Sequence, residues 1–381
     1  TTSTVFECLD QQTNETKAAK IYNNNAFSAF KKEMKILEKI SQINSTSHIK
    51  YYEGGIGFLS QEENSTQKMF IILELGNHGS LFEAIAQTKN GFNEDVCKFI
   101  FLKILNAVDN LHKNGICHRD LKSENMLFVG QNYDLKLCDF GSSAKFLKNN
   151  NERKKLKMPI GTGCYSAPEI LEGKEYDGDK ADIFSIGALL FVLMTKNFGF
   201  IDARINNSSF NTKRILYKLI KDKQYEQYWN ILEIKFKITI KSEAFKNLYL
   251  KMVAYDPEER PSIDDIKKDE WMQDIINASP EQLTALRDKM ISEINLKKAR
   301  QAAGCKEINP VKPDELLAIT GYIRGGCTPI GMKKKFKTFI DETVILHDKV
   351  CISGGQRGVQ IKIRPEDLIR ATDATVCDLE L

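Results

Sequence analysis

A chain of 381 residues exceeds one ordinary domain, and its 42% hydrophobic and 28% charged residues can furnish more than one core. A formal net charge of +4 is small for that length, with basic and acidic residues interleaved, so nothing demands a DNA or membrane partner. Nine scattered cysteines without a Cys-x-x-Cys pair, and a start (TTSTVFECLD) lacking a basic then apolar run, suggest reduced thiols in a cytoplasmic or nuclear compartment.

From the N-terminus, STVFECLD and KAAKIY alternate like the arms of a hairpin around the polar turn QQTNET. Phe27, Phe30, Met34 and Leu37 then recur at helical spacing. KMFIILEL is a short apolar strand. After GNHGS the texture turns helical, with Cys97, Ile100, Ile104, Val108 and Leu111 forming one stripe that ends at Gly115. NMLFV and LKLCDF interrupt the helices as strands. The apolar run Ile183 to Met194 is too short to span a bilayer and is expected as a buried helix. The remainder to about Met272 is mainly helical. At residues 274–292 the character changes: the earlier part carries asparagine runs, whereas Gly304 to Leu381 has only Asn309 and is rich in glycine and β-branched residues. No repeat at solenoid spacing is present.

Five separated elements stand in one order: Lys20 in KAAK, Glu33 on the next helix, HRDLKSEN at 118–125, DFG at 139–141 and APE at 167–169. Any one arises by chance; five in order, each on a fitting strand, helix or loop, do not. Over residues 1–273 the chain resembles the eukaryotic protein kinases. The fold class implied is α+β: a bilobal protein kinase fold with a small β-rich N-lobe (about 1–75) and a large helical C-lobe (about 79–273).

The resemblance implies ATP and Mg2+ as cofactors and a protein bearing serine or threonine as substrate. Phosphoryl transfer concentrates negative charge, so its catalysis is mostly positioning and neutralisation. Lys20 would reach the α- and β-phosphates, held by Glu33. Asp120 would accept or orient the substrate hydroxyl's proton, with Asn125 and Asp139 holding magnesium. Lys122, two after Asp120, and Thr162 in GTGCYSAPE resemble the serine/threonine class. Leu73 stands as gatekeeper, Glu74 and Gly76 offer backbone groups to adenine, and Val5, Ala19 and Leu127 form the apolar sandwich around the base. Asp182, Gly187 and a Glu169–Arg260 ion pair are expected as scaffold.

Some positions depart from the family pattern. Ser3 occupies the third glycine position of the phosphate loop, and the first two would precede residue 1. Met158 stands at the usual activating site, three before Gly161, so activation is expected without phosphorylation there. The charge run from Arg153 to Lys157 is read as a solvated face, its alternative being attraction of an acidic regulator or substrate. Ser80 replaces the acidic residue that basophilic relatives use for arginine recognition, with Glu83 as a nearby substitute. Cys138 is expected to face the nucleotide pocket, with a buried inert thiol as the alternative. A pseudokinase or scaffold is the competing functional reading.

The tail, TGYIRGGCTPIGMKKKFKTFID through KVCISGGQRGVQIKIRPEDLIRATDATVCDL, resembles the second half of the YbaK-like aminoacyl-tRNA deacylases, which clear cysteine mischarged on proline tRNA. It is expected as a partial α/β deacylase-like domain over 293–381, after a linker at 274–292. The half bearing the catalytic lysine has no counterpart here, and Gln360 replaces an aspartate of some relatives. Gly325–Gly326 and Gly354–Gly355 suit a small pocket. Lys333 to Lys335 is read as a solvated cluster, with weak tRNA contact as its alternative.

Overall fold

A computed structural model provides the structure and describes the chain apart from residues 1, 44, 59–66, 89, 148–151, 159, 201–208, 305–315, 323–326, 342–343, 346–347, 357–358 and 378–381, and the side chains of 209–214, 295–303 and 341. It divides into two compact units, Thr1–Met290 and Ile291–Leu381.

The first unit opens with β1 (Ser3–Asp10) and β2 (Glu15–Tyr22), followed by α1 (Phe27–Ile40), β3 (Tyr51–Phe58) and β4 (Gln67–Glu74). The strands form one antiparallel sheet in the order β1-β2-β4-β3. Asp10 turns the first hairpin by accepting the amides of Gln12 and Thr13 at 2.9 and 3.3 Å. α1 packs on the sheet through Phe30, Glu33, Ile36, Leu37 and Ile40. The expected stripe is thus shifted: Phe27, in the first turn, is 45% exposed, Met34 is half-buried, and Glu33 lies on the buried face itself.

Next come α2 (Leu81–Gln87) and α3 (Glu94–Lys113), whose stripe Cys97, Ile100, Ile104, Val108 and Leu111 is fully buried. The short pairs β5 (Ile116–Cys117) with β8 (Ala144–Lys145), and β6 (Met126–Val129) with β7 (Asp134–Leu137), flank the HRDLKSEN and DFG segments. After α4 (Pro168–Leu171), α5 (Gly178–Thr195) runs through the middle of the helical part, and its residues from Ile183 to Leu193 are all buried. A Cβ at Gly187 would lie 2.9 Å from that of Met252, so glycine permits this close approach. Then follow α6 (Ser209–Lys221), α7 (Tyr225–Phe236), α8 (Glu243–Met252), α9 (Ile263–Lys268), α10 (Gln273–Ile276) and α11 (Pro280–Ala303). Residues 274–292 are therefore largely helical, and Met290 is buried.

In the second unit, beyond α11, lie α12 (Leu316–Thr320), β9 (Phe339–Asp341), β10 (Val350–Ser353), β11 (Gln360–Ile363), α13 (Pro365–Thr372) and β12 (Thr375–Cys377). β10 and β11 pair antiparallel, and β12 pairs parallel with β9. Gly354 and Gly355 serve the β10–β11 turn: the Gly354 amide donates to the Val359 carbonyl at 2.8 Å, and Gly355 has φ +88°. Gly325–Gly326 lies outside the described residues. Among the described residues no helix is long and apolar enough to cross a membrane.

Candidate active site

The site forms where β2, α1 and the loops around β6 and β7 meet. β2 places Lys20 beside α1, and its ammonium donates to both Glu33 carboxylate oxygens at 2.7 and 2.9 Å and to Asp139 Oδ1 at 2.8 Å. Burial works against the Lys20 charge, but Glu33 and Asp139 outweigh it and raise its pKa above 10.5. Burial likewise works against ionised Asp139, yet Lys20 holds this carboxyl below its ordinary range. Tyr22, two residues beyond Lys20 and so on the same face of the strand, donates its hydroxyl to Glu33 Oε2 at 2.6 Å.

A second knot surrounds Asp120. The Thr162 hydroxyl donates to Asp120 Oδ1 at 2.9 Å, and Lys122 reaches Asp120 Oδ2 at 2.9 Å and Thr162 Oγ1 at 3.0 Å. The Asn125 amide nitrogen donates to the Asp120 carbonyl at 2.8 Å, which leaves its amide oxygen for a cation. Beneath, fully buried Asp182 accepts the backbone amides of His118 and Arg119, both at 2.8 Å. Those bonds fix the loop while Arg119 occupies the left-handed region at φ +68°. Asp139 is also left-handed, at φ +59°, a conformation that aspartate tolerates better than most residues.

The expected adenine-site residues lie on adjoining elements. Ala19 of β2 pairs opposite Ile72 of β4, and Leu73 and Glu74 end β4. A Cβ at Gly76 would lie 2.9 Å from both Cβ and Cδ1 of Leu127, so the chain passes over Leu127 with no room for a side chain. Val5 on β1 is 59% exposed. Glu74 is tied by its carboxylate to Lys136 of β7 at 2.7 and 2.8 Å. The structure thus gathers Lys20, Glu33 and Asp139 in one cluster and Asp120, Lys122 and Asn125 in another.

The sequence matches the family description "Protein kinase domain" over residues 1–272. The chain belongs to the protein kinase family. A second match, to "Aminoacyl-tRNA editing domain", covers residues 290–371. The human SNF-related serine/threonine-protein kinase is 35% identical over 229 residues, 60% of this chain and 27% of that protein. CBL-interacting serine/threonine-protein kinase 9 of Arabidopsis thaliana is 36% identical over 210 residues, 55% of this chain and 42% of that protein. Serine/threonine-protein kinase chk1 of Schizosaccharomyces pombe is 32% identical over 217 residues, 57% of this chain and 40% of that protein. The chain spans less than half the length of these relatives.

Around the kinase site, Arg260 holds Glu169 by two buried bonds of 2.6 and 2.7 Å, as the kinase resemblance implies. Sequence reasoning missed Tyr22, His48, Lys136 and Tyr176, and the partners of the last three are apparent only in three dimensions. The basic run is a different case. Arg153 pairs with Asp179, Lys155 with Asp177 and Lys157 with Glu175, while all three basic side chains stay more than half exposed, so the run is a solvated face, as expected, that also pairs within the chain. Glu83 is also committed: its carboxylate accepts the Ser80 amide at 2.7 Å while its own amide donates to the Ser80 hydroxyl, closing a capping box on α2. Burial, with Asp139 adjacent, pushes the Cys138 thiol up to about 12, which favours the inert alternative for that cysteine.

Proposed function

We propose that this kinase transfers the γ-phosphoryl group of ATP to serine or threonine hydroxyls of a protein substrate. The observation that carries the reading is the pairing of two preorganised clusters, Lys20–Glu33–Asp139 and Asp120–Lys122–Thr162, on loops fixed by buried Asp182. Lys20 neutralises charge on the α- and β-phosphates, and Glu33, steadied by Tyr22, keeps it from swinging away. Val5, Ala19 and Leu127 enclose the base beneath Leu73, with the backbone of Glu74 and Gly76 presented to its polar edge. Asp120 takes or orients the proton of the attacking hydroxyl, and Lys122 stabilises charge on the transferring group.

The Asp139 carboxylate and Asn125 amide oxygen suit a hard cation that completes its shell with phosphate oxygens and water, as Mg2+ does. When bound, Mg2+ supplies charge neutralisation at the β- and γ-phosphates. Asp120→Asn should leave folding and ATP binding nearly unchanged yet cut turnover by about 10²–10⁴-fold. Asp139→Asn should instead weaken magnesium-dependent ATP binding. Phosphotransfer to a serine peptide, alongside a binding titration, checks both; wild-type rates from both variants would overturn the assignment.

A further inference from the structure

We infer that the activation segment is latched to the entry of α5 by an antiparallel charge zipper and a tyrosine relay, which together take the place of an activating phosphate. The inference rests on the kinase reading above and names how that site is held in order. The backbone sets the register: the Leu156 amide donates to the Tyr176 carbonyl at 2.8 Å, and the Tyr176 amide returns to the Leu156 carbonyl at 2.9 Å. Residues directly opposite in such a pair present their side chains on the same face. On one side of this bridge stand Lys155 and Arg153, opposite Asp177 and Asp179; on the other Lys157 stands opposite Glu175. All three pairs form. Arg153 grips Asp179 with both guanidinium nitrogens at 2.8 and 2.7 Å, Lys155 meets Asp177 at 2.5 Å, and Lys157 meets Glu175 at 3.0 Å.

The pairs differ in weight. Asp177 and Asp179 are largely shielded, with side chains 9% and 14% exposed, though Lys155 and Arg153 reach them from solvent, whereas Lys157 and Glu175 are both mostly in water and add little. The tyrosine connects the zipper to the catalytic loop. Tyr176 is buried, donates its hydroxyl to the Met158 carbonyl at 3.0 Å and accepts from Arg119 Nη1 at 3.3 Å. Arg119 also donates Nε to the Ser142 carbonyl at 2.7 Å. One guanidinium, adjacent in sequence to Asp120, therefore connects the segment just after DFG to the position three before Gly161. Met158 has no hydroxyl to phosphorylate, and its backbone carbonyl receives the contact instead. Tyr176, Arg153 and Asp179 are positioning residues: they order the segment without touching the reacting groups.

The test is a charge-swap cycle in the full chain, Arg153→Asp, Asp179→Arg and the double swap, with Tyr176→Phe beside it. It is read by amide hydrogen exchange at Leu156 and Tyr176 and by peptide phosphorylation after phosphatase treatment. Each single reversal should speed exchange at both amides and lower kcat about tenfold, the scale of a charge-assisted hydrogen bond, while the double swap restores both. Tyr176→Phe should lower kcat about fivefold with the KM for ATP unchanged and little loss of thermal stability. Unchanged exchange in both single reversals would overturn the latch, as would a double swap no better than either reversal. A phosphoryl group between Asp139 and Glu169 whose removal abolishes activity would overturn its replacement of phosphate. Should the wild type lack phosphotransfer while exchange follows the cycle, the latch stands and the kinase reading falls.

Discussion

Two arginine–carboxylate pairings, one in each unit, show how differently the two units are built. Arg260 and Glu169 lie 0% and 8% exposed in the kinase unit, where Arg260 also donates to the carbonyls of Ala254 and Lys180. In the tail, Arg364 and Arg370 share Asp367 on α13, three residues away on either side, with both guanidiniums mostly in water. The first pair connects α4 to the segment before α9 and has every partner it needs; the second decorates one helix. The surroundings follow suit. α5 of the kinase unit is buried along nearly its whole length, whereas beyond Gly304 the buried side chains among the described residues are Tyr322, Pro365 and Leu368. A catalytic constellation needs side chains locked by packing and by satisfied polar partners, and only the kinase unit's described part offers that density.

The largest effect that would sharpen this contrast comes from the ion pairs themselves. Arg260→Met strands a buried carboxylate and should cost about 3–5 kcal/mol of kinase-unit stability. Arg364→Ala removes an exposed contact and should leave the melting profile unchanged within error. Scanning calorimetry of the two full-length variants decides. A shift for Arg364→Ala as large as that for Arg260→Met would break the comparison.

The next effect is a pH dependence confined to the kinase unit. His48 is buried, bonds the Ala107 carbonyl of α3 at 2.9 Å through Nε2, and packs edge-on near Phe140 of DFG at 6.0 Å. Burial lowers its pKa from 6.5 to about 4, the Ala107 carbonyl opposing and His118 adding to the shift. Between those values the unfolded chain takes up a proton that the folded chain refuses, so stability falls as pH drops from 6.5 towards 4 and then levels. The shift corresponds to about 3 kcal/mol in all. His48→Leu should flatten this part of the stability curve measured by urea unfolding from pH 7 to 4. An unchanged slope would show that His48 is not its source.

How far the sequence discloses this molecule depends on where a residue's partners lie. Lys20, Glu33, Asp120, Asn125 and Asp139 are legible because their motifs are short and their order is fixed, and the α3 stripe because helical spacing is local. Tyr22 was open to the same reading, since it lies two residues from Lys20 on a strand and must share its face. His48 and Lys136 gave no such signal: their partners sit on elements 59 and 62 residues away. The activation segment shows the limit of such reading. The basic side chains from Arg153 to Lys157 are exposed, as charge runs usually are, but three of them, at 153, 155 and 157, also face the alternating acidic set at 175, 177 and 179, a pairing that composition alone did not disclose. On α1 the helical period was right and the phase was not, because Phe27 falls in an exposed first turn.

The smallest effect expected is none at all, and it tests the tail directly. The full chain should release no cysteine from cysteinyl-tRNA(Pro) above the buffer rate. An editing pocket must enclose the aminoacyl group, yet β10 and β11 form a two-stranded sheet whose residues are half-buried or exposed, Ile361 among them at 36%. Gly354 and Gly355 are spent on the turn of that hairpin, and Gln360, which begins β11 just after the turn, is exposed. The basic run is also partly occupied. Lys333 donates to the Gly321 carbonyl at 3.0 Å and Lys334 to the Ala318 carbonyl at 2.7 Å, where cations suit the C-terminal end of α12. Both lysines stay exposed, as expected, yet tRNA would have to compete with these carbonyls for them. Strands this open tend to pair with another chain before they shape a pocket. Hydrolysis is measured by release of labelled cysteine, with Asp120→Asn as a control that leaves the tail untouched. Release above buffer by both proteins would mean that a sparsely buried unit suffices for editing, and the contrast between the two units would lose its functional meaning.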